Sequence, residues 1–526
     1  MPQNKLIIIP TFKGGLANSL YEPLENGTFQ TAKDLEIFTP YNTLNPHLKL
    51  SNDTGTSNTN RIQAIIKASA AGGTGDLYFG LGNSGVSNQR RLFSANTLGS
   101  TTTWTTRATS TTANTSPDNN GLRHFVEFRD YLYFHNSDTV LSRFGTMSGT
   151  ATYTESWQSG LNTMSGTGPL LTHEGLGKLF VGHRNVLADW DNTTWTASRL
   201  TLGINWRIKS LAPMGAFLLI GITDVNESQP SKVIIYDGSA TTIDDVIDLG
   251  DIGLQAVRNN NGQIQVLTMS NPNGTVPFNI MRLYVWSGGR VEKVKEVDLS
   301  ATVSNAVLIR DTAVDTAKDT LFWGFDADPA DSMNIDNGIF AYGKGAIGFP
   351  KVVTLDRTVA PVDTTDIEIN YVRWIDGDLV INWYDGTNYR TGHITGLTKS
   401  GDGIYQSNMF RFDSHRKGRI KRIKINHLPL PALTGFRIGI RHHGITPVGI
   451  TPSASETFTT DGTGASFVGN QTEDNQTYTI FSDRNGSPFP WADAAQIQIE
   501  FNTVSGGDAT SIIFPIIIEA EISDEM

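Results

Sequence analysis

Leu179-Phe180-Val181-Gly182-His183-Arg184-Asn185-Val186-Leu187-Ala188-Asp189-Trp190 holds two short apolar runs separated by a polar turn. Runs of this length, bounded by turn residues, read as the two strands of a hairpin. The same unit recurs along the chain. Its first run begins at Leu77 (Leu-Tyr-Phe-Gly), Leu132 (Leu-Tyr-Phe-His), Leu179, Leu218 (Leu-Leu-Ile-Gly), Ile264 (Ile-Gln-Val-Leu), Leu321 (Leu-Phe-Trp-Gly) and Leu379 (Leu-Val-Ile-Asn). The intervals are 55, 47, 39, 46, 57 and 58 residues. Propeller blades of four strands repeat at about 40–50 residues, so the spacing predicts a β-propeller of about seven blades.

The partner strands fall where such a blade needs them: 91–93, 140–144, 186–190, 233–236, 282–286, 339–342 and 389–394. Several end in Asp-Gly or Gly-Gly, as at Asp237-Gly238 and Gly288-Gly289, which supply the positive φ of tight hairpins. Inner strands are expected at 61–67, 124–128 and 367–374, and outer strands at 291–297 and 352–355. A lone four-stranded blade has two apolar faces and can bury neither. Stacking blades around an axis buries both. The alternative is a set of separate β-sandwiches sharing hairpin chemistry, since no WD or Kelch signature repeats.

Composition agrees with an all-β chain. Of 526 residues 52 are glycine and only 18% are charged, and no sustained helical periodicity is present. Cysteine is absent, which excludes a disulfide framework and thiolate metal sites. The apolar run Leu6 to Ile9 is too short for a signal-peptide core. Ile512 to Ile518 is interrupted by Pro515 and is far shorter than a membrane span. A soluble protein made in the cytoplasm is expected, or one carried out of the cell within a particle.

The sequence divides into an N-terminal docking arm (1–58), the propeller (59–402) and a C-terminal β-sandwich (403–526). In the last part, strands are expected over 404–412, 419–425, 436–441, 477–481, 496–501 and 511–522, in a jelly-roll or immunoglobulin-like arrangement. Pro515 marks an edge strand or a bulge. The opening Phe12-Lys13-Gly14-Gly15-Leu16, with Glu25-Asn26-Gly27 and a segment to Pro46, resembles the start of bacteriophage tail proteins, including the tail-nozzle proteins of short-tailed phages and minor tail proteins. The stretch Met409-Phe410-Arg411-Phe412-Asp413 and the Arg419 to Ile425 strand look like the sandwich appended to some phage propellers. No long insertion resembling a nozzle extension is present. The resemblance implies a structural virion protein of the phage tail, assembled as a homo-oligomer against portal, adaptor or other tail components, with no cofactor.

Formal net charge is −11, which argues against the whole chain coating nucleic acid. One segment departs from this. Arg411, Arg416, Lys417, Arg419, Lys421, Arg422 and Lys424 stand against a single acid, Asp413. A strand with one cationic face is a natural docking edge for an acidic neighbour. DNA is the lesser alternative, because no aromatic ladder interleaves the charges. Phe12, Lys13, Gly14 and Gly15 are the other candidate docking residues.

Enzyme signatures are missing. There is no His-Glu-Xaa-Xaa-His, nucleophile elbow, Walker loop or dinucleotide fingerprint. Two carboxylates converging from distant blades to cleave a polysaccharide remain a minor alternative. Asp326, Asp328, Asp331 and Asp336 read as a solvated acidic loop, since the calcium-loop spacing is absent. His442-His443 lacks further zinc ligands at suitable spacing. Phe489 and Trp491 read as sandwich core, with a host-surface glycan, bound by an adhesin, as the competing use. The expectation is a non-enzymatic scaffold.

Overall fold

A computed structural model of the chain describes residues 3–523 except 13–14, 17–20, 27, 34, 37–42, 47, 53–61, 70–76, 84–88, 99–103, 114–123, 138–139, 146–150, 160, 162–167, 227, 240–241, 271–279, 299–308, 318, 326–337, 344–350, 355–367, 385–388, 400–402, 429–433, 444–458, 461–475, 482–487 and 504–511. Apart from the 3-10 turns Leu24–Asn26 and Asp311–Ala313, its regular elements are strands. No helix among the described residues is long and apolar enough to cross a membrane. Two compact units emerge. One comprises Ser51–Gly338 and Asp356–Ile394, the other Met1–Leu50, Ile339–Leu355 and Thr395–Met526.

The first unit is a β-propeller made of antiparallel meanders. Its first sheet is Ile62–Ala68, Leu77–Asn83, Gln89–Ala95 and Thr105–Ala113. The second is Phe125–Phe128, Tyr131–Ser137, Val140–Gly145 and Thr152–Ser159. The third is Leu170–His173, Lys178–His183, Val186–Trp190 and Trp195–Thr201. The fourth is Trp206–Met214, Phe217–Asp224, Lys232–Tyr236 and Asp245–Asp248, and the fifth Leu254–Asn260, Gln263–Ser270, Ile280–Trp286 and Val291–Asp298. In the next, Val314–Ala317 pairs with Thr320–Phe325; in the last, Glu368–Ile375, Asp378–Tyr384 and Tyr389–Lys399 follow one another. The first strands of consecutive sheets touch in order, and Glu368–Ile375 returns to Ile62–Ala68. That closed ring distinguishes a propeller from separate sandwiches, which leave no such cycle.

Every anchor run read from the sequence lies in the second strand of its sheet. The opening stretch pairs Leu179 with Trp190 and His183 with Val186, as a hairpin across Arg184-Asn185 requires. Gly238 and Gly288 take φ of 76° and 83°, the positive values expected of their turns. The recurrent fourth residue of the anchor has its own reason. A Cβ on Gly182 would lie 2.8 Å from Ile208, and one on Gly221 2.7 Å from Val257, each in the first strand of the following sheet. A Cβ on Gly324 would collide with Ile369 in the same relation. Glycine is therefore a close-approach residue here, allowing one sheet to pack on the next.

The second unit holds two sheets. In one, the order is Gln476–Ile480, Gly418–His427, Ile512–Ile522, Thr43–Pro46, Leu35–Glu36, with Gln3–Ile9 also pairing with Ile512–Ile522. In the other, Thr28–Lys33, Ile404–Ser407, Ala494–Thr503, Thr434–His443 and Thr459–Thr460 lie side by side. Alternation places Ile420, Ile423, Ile425, Ile516 and Ile518 inside from the first sheet and Ile438, Ile440, Ile497 and Ile499 inside from the second. Rings meet across the gap: His427 with Phe436 at 5.3 Å and Tyr405 with Phe514 at 5.7 Å.

The division at residue 58 needs revision. Residues 3–9, expected to begin an arm, pair in register with the C-terminal strand from Ile9↔Ile516 to Gln3↔Ile522. The N-terminal segment is thus a structural member of the sandwich unit. The Ile512–Ile522 strand is not an edge either, since it has partners on both sides. Pro515 falls where its neighbour changes from Gln3–Ile9 to Thr43–Pro46 and where the register to Gly418–His427 shifts between Lys424 and Asn426. The bulge, not the edge, accommodates the proline.

Candidate functional site

The cationic strand is the first candidate, and the sheet alters its meaning. Gly418–His427 pairs along its length with Ile512–Ile522, and its second half, from Ile423 to His427, also pairs with Gln476–Ile480, so that half is not a free edge. Antiparallel register sets Arg419 opposite Glu521 and Arg422 opposite Glu519. Arg419 meets Glu521 at 2.8 Å and also covers the Trp491 ring, 5.0 Å from its centroid. Arg422 and Lys424 both face Glu519, the latter at 3.6 Å. Arg422 holds the Glu519 carboxyl below the usual carboxylate range. Arg416 bonds Asp413 at 3.2 Å and Gln3 Oε1 at 3.3 Å. The carbonyl of Lys417 accepts from the Ser523 amide at 2.9 Å. The positive charge is therefore largely answered within the unit.

Two cations still face outward. Lys421 sits at a bulge between the pairs Ile420↔Ala520 and Arg422↔Glu519, and it is exposed. Arg411, also exposed, lies over the exposed Tyr21 ring, 5.0 Å from its centroid. Phe12 has the opposite character: it is fully buried, 5.1 Å from Phe514 in an edge-on contact. Gly15 begins a short parallel pairing with Thr28. Lys13 and Gly14 lie outside the described residues, as do Asp326, Asp328, Asp331 and Asp336. Phe489 is buried beside His442, while Trp491 is half-buried under Arg419. Burial pushes His442 down to about 4. Among the described residues no group of three or more His, Cys, Asp or Glu side chains is placed to hold a metal ion.

The propeller contributes a second candidate that the sequence did not single out. A cleft of about 600 Å³ opens at the ends of its inner strands, lined among others by Lys67, Glu127, Thr172, Asp315, Arg373 and Asp376. Each charged group there is bonded across a sheet junction. Lys67 reaches Asp376 at 2.6 Å, joining the first sheet to the last, and Tyr78 donates to the same carboxylate at 2.9 Å. Lys67 and Tyr78 keep the Asp376 carboxyl below its ordinary value, while burial and Asp376 push the Tyr78 phenol up to about 12. Arg373 bonds Asp315 at 3.3 Å, and the Trp374 amide donates to Asp315 at 2.8 Å. Glu127 accepts from the Ser69 amide and hydroxyl at 3.1 and 3.2 Å.

Deeper in the ring, Asp311 gathers Arg258 at 2.8 Å, the Ser210 hydroxyl at 2.5 Å and His124 at 3.6 Å. Burial lowers His124 to about 4, against an opposing pull from Asp311, so the ring is neutral near pH 7. Ser210 donates to Asp311, not to the histidine. The serine, histidine and aspartate therefore lack the serial order that activates a nucleophile. The common signal among the missed residues is a charge near the end of a first strand, as at Lys67, Glu127, Asp315 and Arg373. It is visible only once those strands are known to converge.

No protein-family model matches the chain, and no curated protein sequence matches it. Among solved structures, the computationally designed Ika8 protein aligns over 66% of this chain and 100% of its own, at 11% identity and a TM-score of 0.39. The WD40 domain of Neurospora crassa Pan2 aligns over 65% of this chain and 91% of its own, at 10% identity and a TM-score of 0.37. An exo-β-1,3-galactanase from Phanerochaete chrysosporium aligns over 89% and 100%, at 10% identity and a TM-score of 0.26. At such values none of them lends an activity to this chain.

Proposed function

We propose that the protein is a non-enzymatic structural component of a bacteriophage virion, stationed in the tail, that assembles as a homo-oligomer and docks to neighbouring virion proteins. The observation that carries the non-enzymatic part of this reading is the use of charge in the propeller cleft. Lys67, Glu127, Asp315, Arg373 and Asp376 are all engaged in bonds that tie one sheet to the next. A hydrolase needs a proton donor or base held ready for substrate; these groups are spent on holding the ring closed. The order of parts, an N-terminal Phe12–Gly15 turn, a propeller and a sandwich, supports the phage comparison on which the station rests.

The docking surface moves relative to the sequence expectation. Arg419, Arg422 and Lys424 already have carboxylate partners, so Lys421 and the Arg411–Tyr21 pair are the better contacts for an acidic neighbour. Mass spectrometry of density-purified phage particles tests the assignment. The chain should appear at several copies per virion, and its absence from particles that infect normally would overturn the reading. Light scattering of the purified chain should give a mass that is a multiple of the protomer's.

A further inference from the structure

The cleft on the propeller has a second property, independent of the virion reading. Its volume, about 600 Å³, lies within the roughly 300–1,000 Å³ range of small-molecule sites. Two cations, Lys67 and Arg373, face three carboxylates, Glu127, Asp315 and Asp376. Because these are already paired with one another or with Ser69, most of their charge is answered before a ligand arrives, and a charged ligand gains little over a neutral one. A carboxylate offers about four lone-pair sites. Both bonds to Asp376 use its Oδ2, and the side chain is 43% exposed. Arg373 is similarly open at 38%. Acceptors and donors therefore both line the wall, together with Thr172 and Ser69. The indole of Trp374, stacked on Phe322 at 6.2 Å, and the side chains of Ile66 and Ile375 supply apolar surface beside them.

We infer that this cleft binds a neutral oligosaccharide of two or three sugar units. Hydroxyl groups both donate and accept, so they match a wall of pre-paired acids and cations, and the C–H face of a pyranose suits the apolar strip. An anionic sugar is disfavoured by the excess carboxylate. Binding here involves no bond cleavage.

Saturation-transfer NMR and calorimetry on the full chain test this with maltotriose, cellotriose, mannotriose and galactotriose, with 3′-sialyllactose as the acidic comparator. At least one neutral trisaccharide should bind saturably. Asp376→Asn should weaken it tenfold or more, and Ser69→Trp, which fills the mouth from an exposed position, should abolish it. Each variant gives up a bond that ties neighbouring sheets, so its binding is measured well below its own melting temperature and beside Asp315→Asn, which loses a comparable sheet-to-sheet bond. Failure of all four neutral sugars, tighter binding of sialyllactose, or an affinity untouched by Ser69→Trp would each overturn the inference. None of these results bears on whether the chain is found in virions.

Discussion

Asn382 Nδ2 donates to the backbone carbonyl of Ile62 at 2.7 Å, joining positions 320 residues apart where the last sheet meets the first. Asn382 is fully buried and also donates to Thr391 Oγ1 at 3.1 Å. It occupies the fourth position of its anchor run, where Gly182, Gly221 and Gly324 stand in other sheets. His135 fills that position in the second sheet and likewise bonds forward, to the Gly168 carbonyl at 3.0 Å. In these five sheets the position faces the next sheet and is either empty or polar with a bond to make, whereas in the fifth sheet Leu267 fills it with a buried apolar side chain.

Replacing Asn382 with alanine leaves the Ile62 carbonyl buried without this donor. The expected cost is about 1–3 kcal/mol. Chemical denaturation should show it as a lower midpoint, and limited proteolysis should show the first and last sheets separating more readily. An unchanged midpoint would mean that this junction adds nothing to closure.

Gly221→Ala tests the close-approach half of the same rule. The added methyl would sit 2.7 Å from Val257 and 2.8 Å from Leu254, both buried in the next sheet. Overpacking of this kind costs about 1–3 kcal/mol. Helical or strand propensity alone would favour alanine over glycine, so the sign of the measured change separates packing from propensity.

The strands were largely legible in the sequence because hairpins are local: Leu179 finds Trp190 eleven residues later. What could not be read was pairing at long range. Ile7 meets Ile518 and Arg422 meets Glu519 through registers that no nearby pattern announces. An N-terminal strand without a neighbouring partner therefore read as an arm, and a cationic strand without its acidic partner read as an exposed edge. The cleft was hidden for a related reason: Lys67 and Asp376 acquire their relation only when the ring closes.

Phe12 makes the consequence measurable. A docking side chain can be removed without loss of stability in the isolated protein. Phe12 is instead fully buried against Phe514, which in turn packs on Tyr405. Phe12→Ala should cost about 3–5 kcal/mol, and Phe12→Leu much less. Thermal melts of the two variants beside wild type check the order; equal stability of all three would restore the docking role.

The last expectation concerns acid. His124 has its pKa lowered to about 4 and His135 to about 3, in both cases chiefly by burial, from an ordinary value of 6.5. Between the folded and ordinary values, the unfolded chain takes up a proton that the folded chain refuses. The contribution of neutral His124 is thus complete above pH 6.5 and is lost progressively as pH falls toward 4, the sign appropriate to a depressed histidine. Each pH unit in that window is worth about 1.4 kcal/mol per histidine, so His124 alone accounts for roughly 3 kcal/mol. Denaturation midpoints measured from pH 7.5 down to 4.5 should fall steadily. In His124→Gln, whose amide can still donate to Asp311, the slope should drop by about one proton. A variant with the wild-type slope would show that His124 does not contribute to the acid dependence.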